Sequence, residues 1–553
     1  MIELLEPFVM QETALDVGEF KLVPALTVAA MLALFLGVGY FFRVAAVDDL
    51  WVAGRSIGSI ENGMAIGANW MSAASYLGVA SLIALSGYFG LAYVVGWTTG
   101  YFILLIFLAA QFRRFGKYTA PDFVGDRFYS DWARGIAAFT TLAIAFTYAI
   151  GQASGMGLMA QYIFGISYEM GVILLMGVTI GYVALSGMLG TTKNMAIQYV
   201  ILIIAFTAGL YAVGWSQGWS TVLPYVEFGS EVAAAAEIEA QFVEPFAEGS
   251  YYAWIALAFS LIVGTCGLPH VLVRFYTVEN ERTARWSTVW GLFFICLLYW
   301  GTAAYAAWGG LLYDNTVTDG GGFADMLSVE ADALVVLTAQ LAELPTWLVG
   351  LVAAGAVAAA LATTAGLFIT ASSAAAHDLY TNLYKENATQ REQMFVGRVT
   401  ILGIGVLVTL IGLNPPALIG ELVAMSFAIA GTVFFPVFFL GLWWENTTRE
   451  GAIAGMLTGI VLSFGAILND TAIPMYTGVE DAVIPAVATW LPGTSSALIG
   501  VPVVFGVIIV VSIVTDNPPQ HVKRLVRQCH SPEPMSQTES AEDAANGGAP
   551  ADD

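Results

Sequence analysis

The chain has 553 residues, of which 58% are hydrophobic and only 11% charged, and its formal net charge is −23. A soluble domain carries about 25% charged residues, so this chain cannot cover a water-facing surface along its whole length, and a soluble enzyme or a disordered scaffold is excluded as a reading of the whole. Only five of the 19 basic residues are lysine, and an acidic balance of this kind repels phosphate backbones, which argues against nucleic acid as a partner.

A polytopic membrane protein remains, with the lipid bilayer as its solvent. Acid-rich, lysine-poor loops point further to a high-salt organism, where ions screen self-repulsion. Cys266 and Cys296 fall in apolar stretches and Cys529 in the tail, so no disulfide framework or zinc spacing is present. The segment from Met1 to Lys21 is acidic where a signal peptide is basic, so the first apolar run is read as a retained helix.

Runs of roughly 20 apolar residues match a hydrocarbon core about 30 Å thick. They predict thirteen transmembrane helices, near Leu22 to Phe42, Asn62 to Leu85, Ala92 to Phe112, Arg134 to Gly157, Tyr168 to Leu189, Asn194 to Trp215, Tyr252 to Arg274, Ser287 to Tyr313, Trp347 to Ala376, Val396 to Leu413, Leu418 to Trp443, Gly451 to Leu468 and Ala497 to Val514. Alternating these spans with the N-terminus outside sends every basic residue except Lys21 to the cytoplasmic side and leaves the C-terminus inside. Two long outer loops carry acid instead, Glu227 to Glu248 and Asp314 to Glu343, read either as solvation in salt or as a cation funnel. Beyond Asn517 the tail is polar and acidic and is expected to be disordered.

Broken backbone inside lipid is tolerated only where protein or a water-filled cavity satisfies it. The second span, Gly63 through Gly67, Asn69, Ser72 and Ser75 to Gly78, places glycines and small polar residues at mid-depth. The seventh, Gly264-Thr-Cys-Gly267-Leu-Pro269-His270, carries a proline that cannot continue an ideal helix. Interruptions five spans apart suit an inverted-repeat secondary transporter; the alternative is a pair of glycine packing seams. In the ninth span Thr363 and Thr364 offer hydroxyl oxygens for a small monovalent cation, or bond back to their own helix. No Asp or Glu lies near the centre of a span, which favours sodium held by neutral oxygens over a proton relay. His270 is the exception, and either a polar contact at a kink or a proton-carrying or substrate role remains open.

These residues resemble the sodium:solute symporters. Asp49-Leu-Trp-Val-Ala-Gly54-Arg55, Ser72 to Gly78, Thr119-Ala-Pro121-Asp122 to Arg127, Gly267 to Thr277 and Ser372 to Tyr380 are similar to five of that family's motifs in order, the last two in the manner of its cation/acetate and related monocarboxylate members. The resemblance implies an all-α LeuT-type core of two inverted five-helix repeats. It divides the chain into an outer N-terminus with the first helix (1–48), the transport core (49–444), two C-terminal helices (445–515) and an acidic cytoplasmic tail (516–553). It also implies a sodium site of the Ala68, Met71 and Ala359 carbonyls with hydroxyls at 362 and 363. Position 362 is alanine here, so Thr363 is the match and Thr364 a substitute. Some relatives carry an aspartate three residues before a glutamine in the sixth helix; here that residue, ahead of Gln198, is Met195, which makes a second sodium site doubtful. Substrate candidates by the same resemblance are Asn69, Trp70, Ser72, Gln152, Leu268 and His270.

The expected function is sodium-coupled symport of a short monocarboxylate such as acetate, pyruvate or propionate by alternating access in the cell membrane, with no cofactor and no enzymatic activity. Alternatives are a sodium-coupled proline, other amino acid or sugar symporter, proton-coupled monocarboxylate uptake, or a transporter-like membrane sensor. Oligomeric state is not legible.

Overall fold

The computed structural model describes residues 20–42, 51–218, 244, 246, 249–316, 331–385, 387–477 and 482–530, and among these the chain is helical apart from one isolated bridge between Ile57 and Val278. In chain order the α-helices of eight or more residues are α1 (Leu22–Phe41), α2 (Ser59–Trp70), α3 (Val79–Ser86), α4 (Leu91–Ile103), α5 (Ala120–Arg127), α6 (Asp131–Phe164), α7 (Tyr168–Ser216), α8 (Tyr251–Gly267), α9 (Pro269–Tyr276), α10 (Glu281–Thr316), α11 (Leu334–Leu341), α12 (Thr346–Ser373), α13 (Gln390–Gly412), α14 (Ile419–Trp443), α15 (Arg449–Ile467), α16 (Ala497–Val514) and α17 (Gln520–His530), and π-helical turns at Ala374–Tyr384 continue α12.

Among the described residues eleven helical stretches are long and apolar enough to cross a membrane, against the thirteen expected. The difference lies in two of them, Ala74–Phe115 and Tyr168–Ser216, which fold back on themselves. A straight helix of 49 residues, the length of α7, would run roughly 74 Å at 1.5 Å per residue, more than twice the hydrocarbon thickness. Instead Gly187 adopts φ 58° and ψ −169°, a conformation barred to most side chains, and the chain reverses there. Tyr182 and Ser186 before the reversal lie against Gly39, and Asn194 after it donates to the Phe35 carbonyl at 3.0 Å. Both arms thus meet the end of α1, while Ile163, just ahead of α7, is held by the Lys21 amide at the other end, at 3.1 Å. In Ala74–Phe115 the turn is made at Gly87, with φ 52°, and Gly90 packs directly on the Ile83 backbone.

Both expected interruptions are present. The first helical segment stops at Trp70, Met71 has ψ 70°, and helix resumes through a π turn at Ala74–Gly78 into α3. Between α8 and α9, Leu268 is extended, with ψ 116°, because Pro269 disfavours helical geometry in the residue before it while fitting the first turn of α9. The two broken regions are joined by side chains: Asn62 Nδ2 donates to the Arg274 carbonyl at 3.1 Å, and Asn69 Nδ2 to the His270 carbonyl at 3.3 Å. Small residues let α2 approach its neighbours, since a Cβ on Gly63 would stand 2.5 Å from Trp290 Cβ and one on Gly67 2.9 Å from the Tyr199 ring.

The expectation of an unstructured tail is corrected for residues 520–530, which form α17. Val522, Val526 and Cys529 make a short apolar stripe at helical spacing and are buried. Arg527 reaches Glu445 with two nitrogens, each at 3.0 Å, and His530 Nε2 bonds the Leu442 carbonyl at 2.8 Å. The rest of the tail, most of the two acidic outer loops (219–243 and 317–330), and Asp49 of the first motif lie outside the described residues.

Candidate functional site

At the break in the second span the backbone turns tightly, with the Ser72 amide on the Trp70 carbonyl at 2.7 Å. The helix that follows needs partners for its first amides. Gln152 on α6 supplies one, its Oε1 accepting from the Ala73 amide at 2.8 Å, and Ser72 Oγ accepts from Ser75 at 3.4 Å. The freed Trp70 carbonyl also accepts from Ser75 Oγ at 3.2 Å.

α12 crosses this break closely. Gly366 leaves room for Asn69, whose Oδ1 a Cβ there would overlap. Thr363 Oγ1 donates to the Asn69 carbonyl at 3.0 Å, so this hydroxyl faces the unwound segment. Thr364 does not join it: its Oγ1 donates to the Ala360 carbonyl of its own helix at 2.8 Å, because neighbouring residues point about 100° apart around a helix. Ala68 and Met71 flank the break on one side and Ala359 lies a turn from Thr363 on the other, all fully buried.

The substrate candidates gather around the same break. Asn69, Trp70, Ser72, Gln152, Leu268 and His270 are each no more than 2% exposed, so the described state is closed to solvent. Several of their polar atoms find no partner: Asn69 Oδ1, Gln152 Nε2 and both ring nitrogens of His270. Buried polar atoms are normally hydrogen-bonded, and these are free to engage a polar solute. Trp70 serves as wall, edge-on to Tyr101 at 4.6 Å and to Phe427 at 5.3 Å.

The sequence reading missed Tyr148 and Phe427. Tyr148 lies one turn before Gln152 on α6, its ring 5.3 Å from that of His270 and its hydroxyl facing Ser72. A polar residue spaced four from Gln152 on an otherwise apolar helix was the available signal. Phe427 of α14 packs against Trp70, Trp97 and Tyr148 together, and an isolated phenylalanine in an apolar run carries no such signal.

At the opposite end of α12 two motifs meet. Thr119 caps α5 by accepting from the Asp122 amide at 3.0 Å and donates to Asp378 Oδ2 at 2.8 Å. Asp122 is bonded by His377 Nε2 at 2.8 Å and by Arg134 Nη1 at 3.3 Å. Burial alone would raise its pKa, but the His377 hydrogen bond and the His377 and Arg134 charges outweigh it and hold the carboxylate below its ordinary value. Asp122, His377 and Asp378 bring ligand-type atoms within 4.8 Å of one another, and the Arg134 ion pair and His377 hydrogen bond on Asp122 clasp α5 to α6 and to the π-helical turns Ala374–Tyr384 that follow α12.

A family model described as the sodium:solute symporter family matches residues 50–459. An uncharacterized symporter of Cupriavidus necator is 26% identical, covering 90% of this chain and 92% of its own, and one of Bacillus subtilis strain 168 is 32% identical, covering 78% and 83%. Among solved structures, a Na+-coupled sialic acid symporter in a substrate-bound outward-open state superposes with a TM-score of 0.72 over 91% of this chain and 100% of its own, at 16% identity, which shows a common fold.

Proposed function

The chain belongs to the sodium:solute symporter family, and we propose that it carries a short monocarboxylate inward together with sodium by alternating access. As a member of that family it is a multi-pass membrane transporter that couples a small solute to sodium; the solute class and the site residues are our reading. In that reading sodium sits between the broken second span and α12, held by Thr363 Oγ1 and the carbonyls of Ala68, Met71 and Ala359. Thr363 is the only one of the two candidate hydroxyls that supports it, since Thr364 is turned to its own helix. Sodium there holds α12 against the unwound segment and favours the substrate-competent state. In the same reading the N-terminus lies outside and the C-terminus in the cytoplasm, as the distribution of basic residues suggests.

The observation that carries the solute class is the pair of unpartnered nitrogens, Gln152 Nε2 and the His270 ring, in a fully buried, tightly walled site without an acidic residue among its members. Amide and imidazole N–H groups donate to a carboxylate, and the aromatic rings packed around Trp70 favour a short chain over a large solute. One sodium with one monoanion is electroneutral, so the sodium concentration gradient drives uptake and voltage, worth about 2.3 kcal/mol per charge per 100 mV, adds nothing.

Purified protein in proteoliposomes tests this. Radiolabelled acetate, propionate and pyruvate are offered beside proline and glucose, under an imposed sodium or proton gradient. Sodium-driven accumulation of a carboxylate, unaffected by an imposed potential, is the expected result. Accumulation of proline or glucose instead, or carboxylate uptake driven only by protons, overturns it.

A further inference from the structure

Arg274, on α9 one turn beyond His270, is fully buried, and its charge has no carboxylate partner among the described residues. Nη1 donates to Thr192 Oγ1 at 2.9 Å and lies 3.6 Å from Met188 Sδ, Nη2 lies 2.9 Å from Met195 Sδ, and Nε has no partner at all. Arginine stays protonated in proteins, and a thioether is a weak acceptor. A buried guanidinium facing one hydroxyl and two sulfurs is therefore a cation short of an anion. Met195, whose sulfur faces Nη2, offers it only a thioether. Three residues further along the same arm of α7, Gln198 is also buried and leaves both amide atoms without a partner.

The place matters as much as the charge. Asn62 and Asn69 bond the carbonyls of Arg274 and His270, so the two half-helices run side by side, and Arg274 lies roughly 6 Å along them from the solute site, toward the start of α2. That end is the one expected to face the cytoplasm.

We propose that Arg274 anchors a binding site for a small monovalent anion, either the carboxylate of the transported solute on its inward path or an inorganic anion such as chloride. The first source rests on the proposed function; the site itself does not. Arg274 supplies the charge and its free Nε–H and Gln198 a further amide donor, while Thr192, whose hydroxyl donates to the Met188 carbonyl at 2.8 Å, holds the guanidinium in place.

Equilibrium binding on detergent-purified full-length protein in sodium-free buffer tests this, with 36Cl chloride and 14C acetate as probes. Wild type is expected to bind at least one of them saturably. Arg274→Met should weaken that binding at least tenfold. Met195→Asp should weaken it equally by placing a carboxylate beside Nη2, while melting at the same temperature as wild type or higher. Mutual competition assigns one site to both sources, chloride binding alone assigns the inorganic anion, and acetate binding alone the solute. Absence of saturable binding in wild type, or binding that both variants leave unchanged, overturns the proposal. Because no sodium is present and nothing crosses a membrane, this failure is distinct from a failure of sodium-coupled uptake.

Discussion

The hydroxyl of Thr363 and the carbonyl of Asn69 stand 3.0 Å apart, across the point where the second span loses its helix. Replacing Thr363 with valine keeps the shape and removes the oxygen, at a cost of about 1.4 kcal/mol for one polar ligand or hydrogen bond. The sodium concentration for half-maximal uptake should rise about tenfold. Thr364→Val should leave it unchanged, since that hydroxyl serves its own helix. Sodium titration of uptake in matched proteoliposomes checks both; equal behaviour of the two variants rejects the assigned site.

Gln152 is expected to serve two purposes that substitution can separate. Its Oε1 caps the restarted helix at Ala73, and Nε2 is left for the solute. Gln152→Leu should lower the melting temperature, by a loss of about 1–2 kcal/mol for a missing cap. Gln152→Glu keeps the acceptor and should melt near wild type, yet lose uptake, because it has no amide donor and adds a negative charge beside a carboxylate. Wild-type uptake by the glutamate variant would place the solute elsewhere.

Gly366→Ala should abolish uptake while membrane insertion persists, since its new Cβ meets Asn69 Oδ1 and pushes the unwound segment off α12. Gly177→Ala is the matched control, with open space where its Cβ would stand, and should transport normally. Uptake normalised to the amount of inserted protein is the measurement, and indifference at Gly366 would show that the helix contact is dispensable.

Asp332, ahead of α11, accepts from the Ile419 amide through Oδ2 at 3.0 Å and leaves a buried Oδ1 without a partner. Burial, with a smaller push from the Glu421 charge, raises its pKa from 3.8 to about 6 despite that hydrogen bond. A carboxyl raised in the folded state favours folding in its protonated form, so its contribution is complete below 3.8 and is lost as pH rises through about 6. The loss is at most about 3 kcal/mol. The solubilised protein should melt higher at pH 5 than at pH 7.5, and Asp332→Asn should flatten that difference; an unchanged slope in the variant assigns it to other groups.

The outline of the fold was legible because the length of an apolar run and the placement of Gly and Pro are properties of the chain itself. Pro269 marks its break directly, and the glycines of the second span admit the close neighbours seen at Gly63 and Gly67. Rotation about a helix axis is a different matter. Nothing in the adjacent pair Thr363 and Thr364 says which hydroxyl turns inward, because the crossing of α12 over Asn69 decides it. The same holds for Phe427 and Arg274, whose roles arise from neighbours far away in sequence, and for α17, whose apolar stripe is too short to stand out in a charged segment.

The docking of α17 has a practical side. Arg527 clamps Glu445, His530 closes on the end of α14, and Arg114 holds the Cys529 carbonyl at 3.1 Å, so this helix ties α14 to the distant segment that carries Arg114. A truncation or affinity handle inserted ahead of residue 520 would strip that fastening, and expression vectors for this protein are best engineered with any fusion partner placed after His530.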